Sequence, residues 1–548
     1  GRCACFCSHV SCACSSASTR VAVIGAGASG LSAARTLVDN WPASAGELSV
    51  FVLEARDRLG GRVWTRPAAT GEAWQTGTES EMGAAWISRP GLDNPLTNIQ
   101  EALLAKTMKN DVFYTSLHQC AEGAVATCAA VAAADFTTQT TGYQEIVTET
   151  LEKGAKTSGD VSMWSSMAGV TTVKDPTGLS VKSNAVMRAF LAARQELEFG
   201  VSADELSAQG FAVFDCIGLS GQNIGDELLP EGMSALMLGI ASGEASLNLG
   251  SPRLESSLNS SPIPLDIKYN HSVSKVAYAY ETKLHTITAI AGGVSTTFEA
   301  DYVVCTLPHG VLSSGAVAFE PGLSADFTTA IDSMGSGNLV RVSLLFESVW
   351  WSSSNNFFML SQPEFDKTTR GFFTYFLNGK QLMDGRPVLL TFATGEAAAR
   401  ADGMNDAETW IAIRANLVQM FGTAVPASCK MLKTSWASDP FAKGTHSYPK
   451  VGASNTRAWK ALQLMQTRNL FFAGEHTSEK YYGTLHGAVF EGQRAARALM
   501  DEARVFKEQP TFGNANQSIL SRGSAVMSPF YCGMYFAVMC ALMLLELE

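Results

Sequence analysis

Gly25, Gly27 and Gly30 form the pattern G-x-G-x-x-G, with Ser29 just ahead of the third glycine. A phosphate can approach bare amides there and meet the positive end of a helix dipole. Glu54 follows 24 residues after Gly30. An acid closing the next strand suits paired hydrogen bonds to the hydroxyls of an adenosine ribose. Glycine turns also occur for packing alone, so the acid and the flanking elements carry the dinucleotide reading. A second turn comes at once: Glu54, Ala55 and Arg56 lead into Arg58, Gly60, Gly61 and Arg62. A nicotinamide enzyme has no need of it, and the two turns together point to FAD rather than NAD.

The elements that must hold these residues are readable around them. Residues 20–54 give an apolar run, the glycine turn, Leu31, Ala34, Leu37 and Val38 at helical spacing, and then LSVFVLE. That is a parallel βαβ unit. Residues 100–226 turn helical and locally Ala-rich without a phosphate signal, as an inserted segment would. Strand character returns in 266–312, a mixed segment spans 315–431, and 469–500 reads as strand, glycine turn and amphipathic helix. The predicted fold class is α/β: a discontinuous Rossmann-like FAD-binding domain (19–100, 226–314, 432–505) with an inserted α+β substrate-binding domain (101–225, 315–431).

Composition narrows the partners. The chain has 548 residues, 46% hydrophobic and 17% charged, with a formal charge of -11. No clustered Lys and Arg run is present, which argues against nucleic acid as the main partner, while an acidic surface mildly favours cationic substrates. Five of the twelve cysteines, Cys3, Cys5, Cys7, Cys12 and Cys14, fall in a leader spanning 1–18, and the other seven are scattered singly. A disulfide framework is not expected. The leader is read as unstructured or processed, with a soft-metal site through those thiols and His9 as the other reading; no metal is expected in the body. The chain opens without Met, which reads as a fragment or a processed start. Residues 506–522 read as a linker. The run 523–545 has no charged residue; it is long enough to span a membrane and leave the body cytoplasmic, or else to be a helix docked on that body.

Glu54, Arg58, Gly60, Gly61 and Arg62 match the E-x-x-x-R-x-G-G-R stretch of the flavin-containing amine oxidases, which the chain resembles over about 20–505. That family spans monoamine and polyamine oxidases, histone-lysine demethylases and L-amino-acid oxidases. The resemblance implies that Arg62 reaches the FAD pyrophosphate, where a fixed guanidinium makes paired charge-assisted bonds. EMGAAWIS (81–88) looks like the segment lining the flavin, through Gly83, Ala84, Ala85 and Trp86. DIKYNHSVSKVAY looks like the strand whose Val273 backbone meets adenine, DYVVCTLPHGVL like the turn near the pyrophosphate, and Trp436 is likewise implied at the cofactor. FFAGEHTSEKYYGTLHGAVFEGQRAARAL (471–499) is similar to the family's closing motif, and its start most resembles plant-type polyamine oxidases. There Gly474 and Glu475 are implied at the ribityl and phosphate region, Thr484 and Leu485 at the isoalloxazine.

Departures from the family pattern matter as much. Arg341, in GSGNLVRVSLLF, stands where the family carries a Lys that holds a water against flavin N5. His446 and Thr484 replace two aromatic rings that steer the amine, and Ser88 replaces a His or Glu. Arg341, His446 and Thr484 are therefore the candidate catalytic residues. Tyr448, Tyr481 and Tyr482 are either substitutes for the missing rings or core aromatics. Glu196, Glu198, Asp204 and Glu205 either neutralise a polyamine or form a solvated helix face. The resemblance implies an oxidase that takes a hydride from the carbon alpha to an amine onto flavin N5, lets water hydrolyse the imine and reduces O2 to H2O2. Small amines, polyamines first, are the implied substrates. The alternatives are an L-amino-acid oxidase, which needs an Arg for the carboxylate, and a flavin-binding protein with little oxidase activity.

Overall fold

The computed structural model describes residues 3–5, 14–16, 18–66, 81–88, 94–109, 115–121, 127–156, 159–170, 180–213, 227–229, 232–245, 247, 263–351, 355–363, 366–382, 385–453, 457–466 and 469–508. The candidate membrane run 523–545 lies outside them. Among the described residues no helix is long and apolar enough to cross a membrane. Of the leader, Cys3–Cys5 pairs antiparallel with Cys14–Ser16. Among the described residues no group of His, Cys, Asp and Glu is placed to hold a metal.

Strand β1 (Thr19–Ile24) ends in four buried residues because it lies inside a sheet covered on both faces. The glycine turn leads into α1 (Ala28–Asn40), and β2 (Leu48–Leu53) returns parallel to β1. The sheet is completed by β3 (Asp266–Lys268), β4 (Tyr302–Cys305) and β7 (Leu470–Phe472), in the order β3-β2-β1-β4-β7. All four pairings are parallel. Distant segments thus build one sheet, and α1 packs on α2 (Leu485–Glu508) through a core that includes Leu31, Ala34, Ala495 and Leu499. A smaller sheet flanks it, made of Val294–Ala300, Leu284–Ala291, Ser272–Ala279 and Ala318–Glu320.

The other large unit is a seven-stranded sheet containing β5 (Leu339–Leu345) and β6 (Val388–Thr394), with Lys430–Lys433 and Tyr375–Asn378 outside that pair and Phe357–Ser361, Thr115–Gln119 and Ala129–Ala130 beyond. The period of two decides what each face does. Val340, Val342 and Leu344 pack with Ile413 and Leu417 of helix Asp406–Phe421, leaving Leu339 and Arg341 on the opposite face. Thr115–Gln119 is a strand inside a segment expected to be helical; its sequence TSLHQ is too short and polar to announce itself, and it forms by pairing with Phe357–Ser361. The cysteines do not all stand singly, for Cys120 and Cys128 form a disulfide. It lies at the sheet's end, beside the antiparallel pairing of Thr115–Gln119 with Ala129–Ala130.

Candidate active site

The C-terminal ends of β1, β2 and β4 open onto a cavity of about 660 Å³, roofed on its far side by the seven-stranded sheet. Every residue expected at the cofactor borders it except Gly30. Gly30 serves packing: a Cβ there would lie 1.9 Å from the Gly25 carbonyl oxygen, so only glycine lets α1 start this close to the turn. Gly83 has the same kind of reason, since its Cβ would sit 1.9 Å from the Arg62 carbonyl oxygen. That contact holds the 82–86 segment against the second glycine turn.

Glu54 is buried, and its carboxylate accepts from the backbone N–H of Ala26 at 2.7 Å and of Arg56 at 2.9 Å. Burial raises its pKa, and the two amides pull the other way. It therefore ties both glycine turns together while facing the cavity. Helix α1 begins at Gly27 without a side-chain cap, so its first amides are open to an anion. This donor set and the acid suit a dinucleotide pyrophosphate and ribose.

Arg62 is held rather than free: Nη1 donates to the Thr445 carbonyl at 2.6 Å and to Glu475 Oε1 at 2.9 Å. Glu475 also accepts from Ser447 Oγ at 2.6 Å and from the Gly483 amide at 2.8 Å. Burial alone would raise its pKa, but Arg62 and these partners hold it down at about 2. Glu475 borders the cavity with its oxygens spent on protein groups, so it orients Arg62 and gathers the turns at 445–447 and 483 around the wall.

Arg341 enters the cavity from β5, buried, with its strand clamped by Thr434: the Arg341 amide donates to Thr434 Oγ1 at 2.8 Å and the Thr434 amide to the Arg341 carbonyl at 3.0 Å. Burial lowers its pKa to about 10, against the charge of Glu81, so it stays cationic at neutral pH. Phe392 of β6 lies directly across the ladder from it. Leu377 and Leu390, also paired, extend this apolar face. No local signal in the sequence marks these three, because their role comes from which strands neighbour β5.

His446 and Thr484 border the same end. His446 lies half-buried in the wall beside the Glu198 backbone, and burial pushes the imidazole below the usual histidine range. It meets the cavity as a neutral flat ring. None of the three tyrosines borders the cavity: Tyr448 and Tyr482 are core groups that donate to Glu205 and to the Gly210 carbonyl, and the half-buried Tyr481 packs on His486 and Phe490. The acidic stretch divides. Glu196 and Asp204 bind Arg370 at 2.7 and 3.0 Å, and Glu205 takes the Tyr448 hydroxyl. Glu198 alone of the four borders the cavity, and it is exposed there. A solvated helix face is thus the wrong description of Glu196, which is 3% exposed.

The family described as flavin containing amine oxidoreductase matches residues 28–500. The chain is 29% identical over 487 residues to probable polyamine oxidase 4 of Arabidopsis thaliana, covering 87% of this chain and 86% of that protein. It is 28% identical over 497 residues to lysine-specific histone demethylase 1 homolog 2 of the same plant, covering 89% of this chain and 59% of that protein. Among solved structures it is similar to cyclohexylamine oxidase from Brevibacterium oxydans IH-35A, at a TM-score of 0.63 and 19% identity over 88% of this chain and 99% of that one. With the cavity, its two glycine turns and this match over most of the chain, the protein belongs to the flavin-containing amine oxidoreductases.

Proposed function

We propose that the protein oxidises polyamines. The observation that carries this is Glu198: an exposed carboxylate on the wall of a cavity whose adjoining surface is Leu197, Leu377, Leu390 and Phe392. A chain of methylenes with a second ammonium suits apolar walls ending in one acid. The likeness to plant polyamine oxidases supports the same substrate class. When bound, FAD supplies the hydride acceptor for the carbon alpha to nitrogen and hands the electrons to O2. Glu54, Arg62 and the α1 amides hold that cofactor. The sheet face excludes water around the reacting amine, His446 flattens one wall, and Glu198 fixes the distant ammonium.

The test is to purify the full chain and follow anaerobic bleaching of its visible spectrum with spermine, spermidine, monoamines and L-amino acids. Rapid bleaching by a polyamine and none by a monoamine supports the reading. Glu198→Gln is expected to raise KM for spermine about fivefold, the value of one partly screened ion pair, and to leave any monoamine turnover unchanged. An equal effect on both classes removes Glu198 from substrate binding.

A second reading, oxidation of L-amino acids, is favoured by Arg341, the buried cation that a substrate carboxylate would seek. Bleaching by amino acids alone selects it. Arg341 also has an expected effect on the oxygen half-reaction. Lys ends in a compact ammonium with three donors and can hold one water, whereas the Arg guanidinium is larger and planar. Arg341→Lys is expected to speed reoxidation by O2 about tenfold, or about 1.4 kcal/mol of barrier, with substrate reduction unchanged. Stopped-flow recording of both half-reactions decides it, and an unchanged reoxidation rate removes Arg341 from that step.

A further inference from the structure

Arg56, two residues beyond the ribose acid, does not project loosely over the cofactor end of the cavity. Its Nη1 and Nη2 donate to Asp439 Oδ2 at 2.9 Å and Oδ1 at 2.7 Å, a paired fork between groups 383 positions apart. The guanidinium lies 5.9 Å from the Trp436 ring and 5.3 Å from Phe441. Asp439 in turn organises its own loop. Its Oδ1 accepts from the Phe441 amide at 2.8 Å, its carbonyl accepts from the Lys443 amide at 2.9 Å, and the Gly444 amide closes back on the Trp436 carbonyl at 3.0 Å.

One end of this loop is rooted in the body, since Trp436 is buried and its Nε1 donates to the Met82 carbonyl at 2.8 Å. The tip is rooted only on its far side: Ala442 is buried and the Ala442 and Lys443 carbonyls lie against Gly310, whereas Pro440 and Phe441 are exposed, Phe441 at 36%, and with Lys443 they border the cavity beside Arg56. The two charged side chains keep 15% and 21% of their surface exposed, so the pair that ties the tip down is within reach of solvent and salt. A rooted base, an exposed Pro440–Phe441 tip and one partly exposed ion pair are the parts of a flap that can open at its tip.

We propose that Asp439 is a positioning residue for cofactor exchange: its pair with Arg56 latches the 439–441 tip across the cofactor end of the cavity, and FAD enters or leaves when that pair opens. A latch slows both directions of exchange, whereas a residue that only strengthens bound FAD slows release alone. The two are separable by rates.

Release is followed by the fluorescence of free FAD after dilution of the holoenzyme, and uptake by quenching when FAD is mixed with apoprotein. In Asp439→Asn, release and uptake are both expected to rise about tenfold, leaving Kd within about threefold of the parent. Added salt should speed both rates in the parent more than in the variant, since the Arg56–Asp439 pair is screened in one and absent from the other while the charge of FAD itself is common to both. Phe441→Ala, which trims the tip and leaves the pair intact, should shift both rates in the same direction. The proposal is overturned if release rises while uptake stays constant, or if neither rate moves. Should Asp439→Asn fail to fold, uptake by the parent that is indifferent to salt, or Phe441→Ala that changes neither rate, also overturns it.

Discussion

Glu54→Ala is expected to weaken FAD binding by a hundredfold or more. In the proposed FAD complex the carboxylate would accept a charge-assisted pair from the ribose hydroxyls, at about 1.5 to 3 kcal/mol for each bond, and every 1.4 kcal/mol is tenfold in affinity. The structure adds a second loss. The Ala26 and Arg56 amides would forfeit their shared acceptor, and both glycine turns would slacken around the pyrophosphate. Titrating apoprotein with FAD measures this directly. A variant that purifies with a full complement of FAD and a Kd within threefold of the parent would remove Glu54 from cofactor binding.

The largest stability effect is expected at Arg370. Its guanidinium is 3% exposed and bonds Glu196 through Nε and Nη2 and Asp204 through Nη2. It also stacks 4.7 Å from the Trp164 ring centroid. Arg370→Ala leaves the Glu196 charge buried beside a hole, which costs about 3 to 5 kcal/mol. A fall in melting temperature of about 3 to 4 °C follows for a chain of this length, at about 2.1 cal/mol/K of unfolding entropy per residue. Glu196 lies two positions from the cavity residue Glu198, so loss of the pair should also weaken polyamine affinity. The double variant Arg370→Met with Glu196→Leu removes both charges and should recover most of the loss, because well-packed apolar side chains replace a buried pair at little cost. A double variant as unstable as Arg370→Ala would show that packing, not the stranded charge, sets the penalty.

Glu196 and Glu198 show where reading the sequence stops. Both stand in RQELEFG, with equal charge and two positions apart. One is buried against a guanidinium 174 positions away and the other borders the cavity. The chain passes through a π-helical turn at Ala192–Glu196 before the short helix Leu197–Phe199; two positions on a helix lie about 200° apart, so opposite faces follow from the period, but which face is inside is set by what packs against it. The tyrosines teach the same thing from the other side: Tyr448 precedes the closing motif and Tyr482 lies within it, yet both rings turn into the core.

The cofactor end was legible because its determinants are local. A glycine turn, an acid at the next strand's end and a basic second turn act through backbone geometry within about 40 residues of chain, and the parallel βαβ unit that holds them follows from side-chain periods of 2 and 3.6. The substrate end was decided only by the tertiary structure. Arg341 was visible as a departure, but its neighbours Phe392, Leu377 and Leu390 come from strands whose order is set by long-range pairing. The Arg56 and Asp439 pair and the Arg370 cluster join segments far apart in sequence. Such partners carry no mark in their own stretch of chain, because a side chain's role there depends on what folding brings against it.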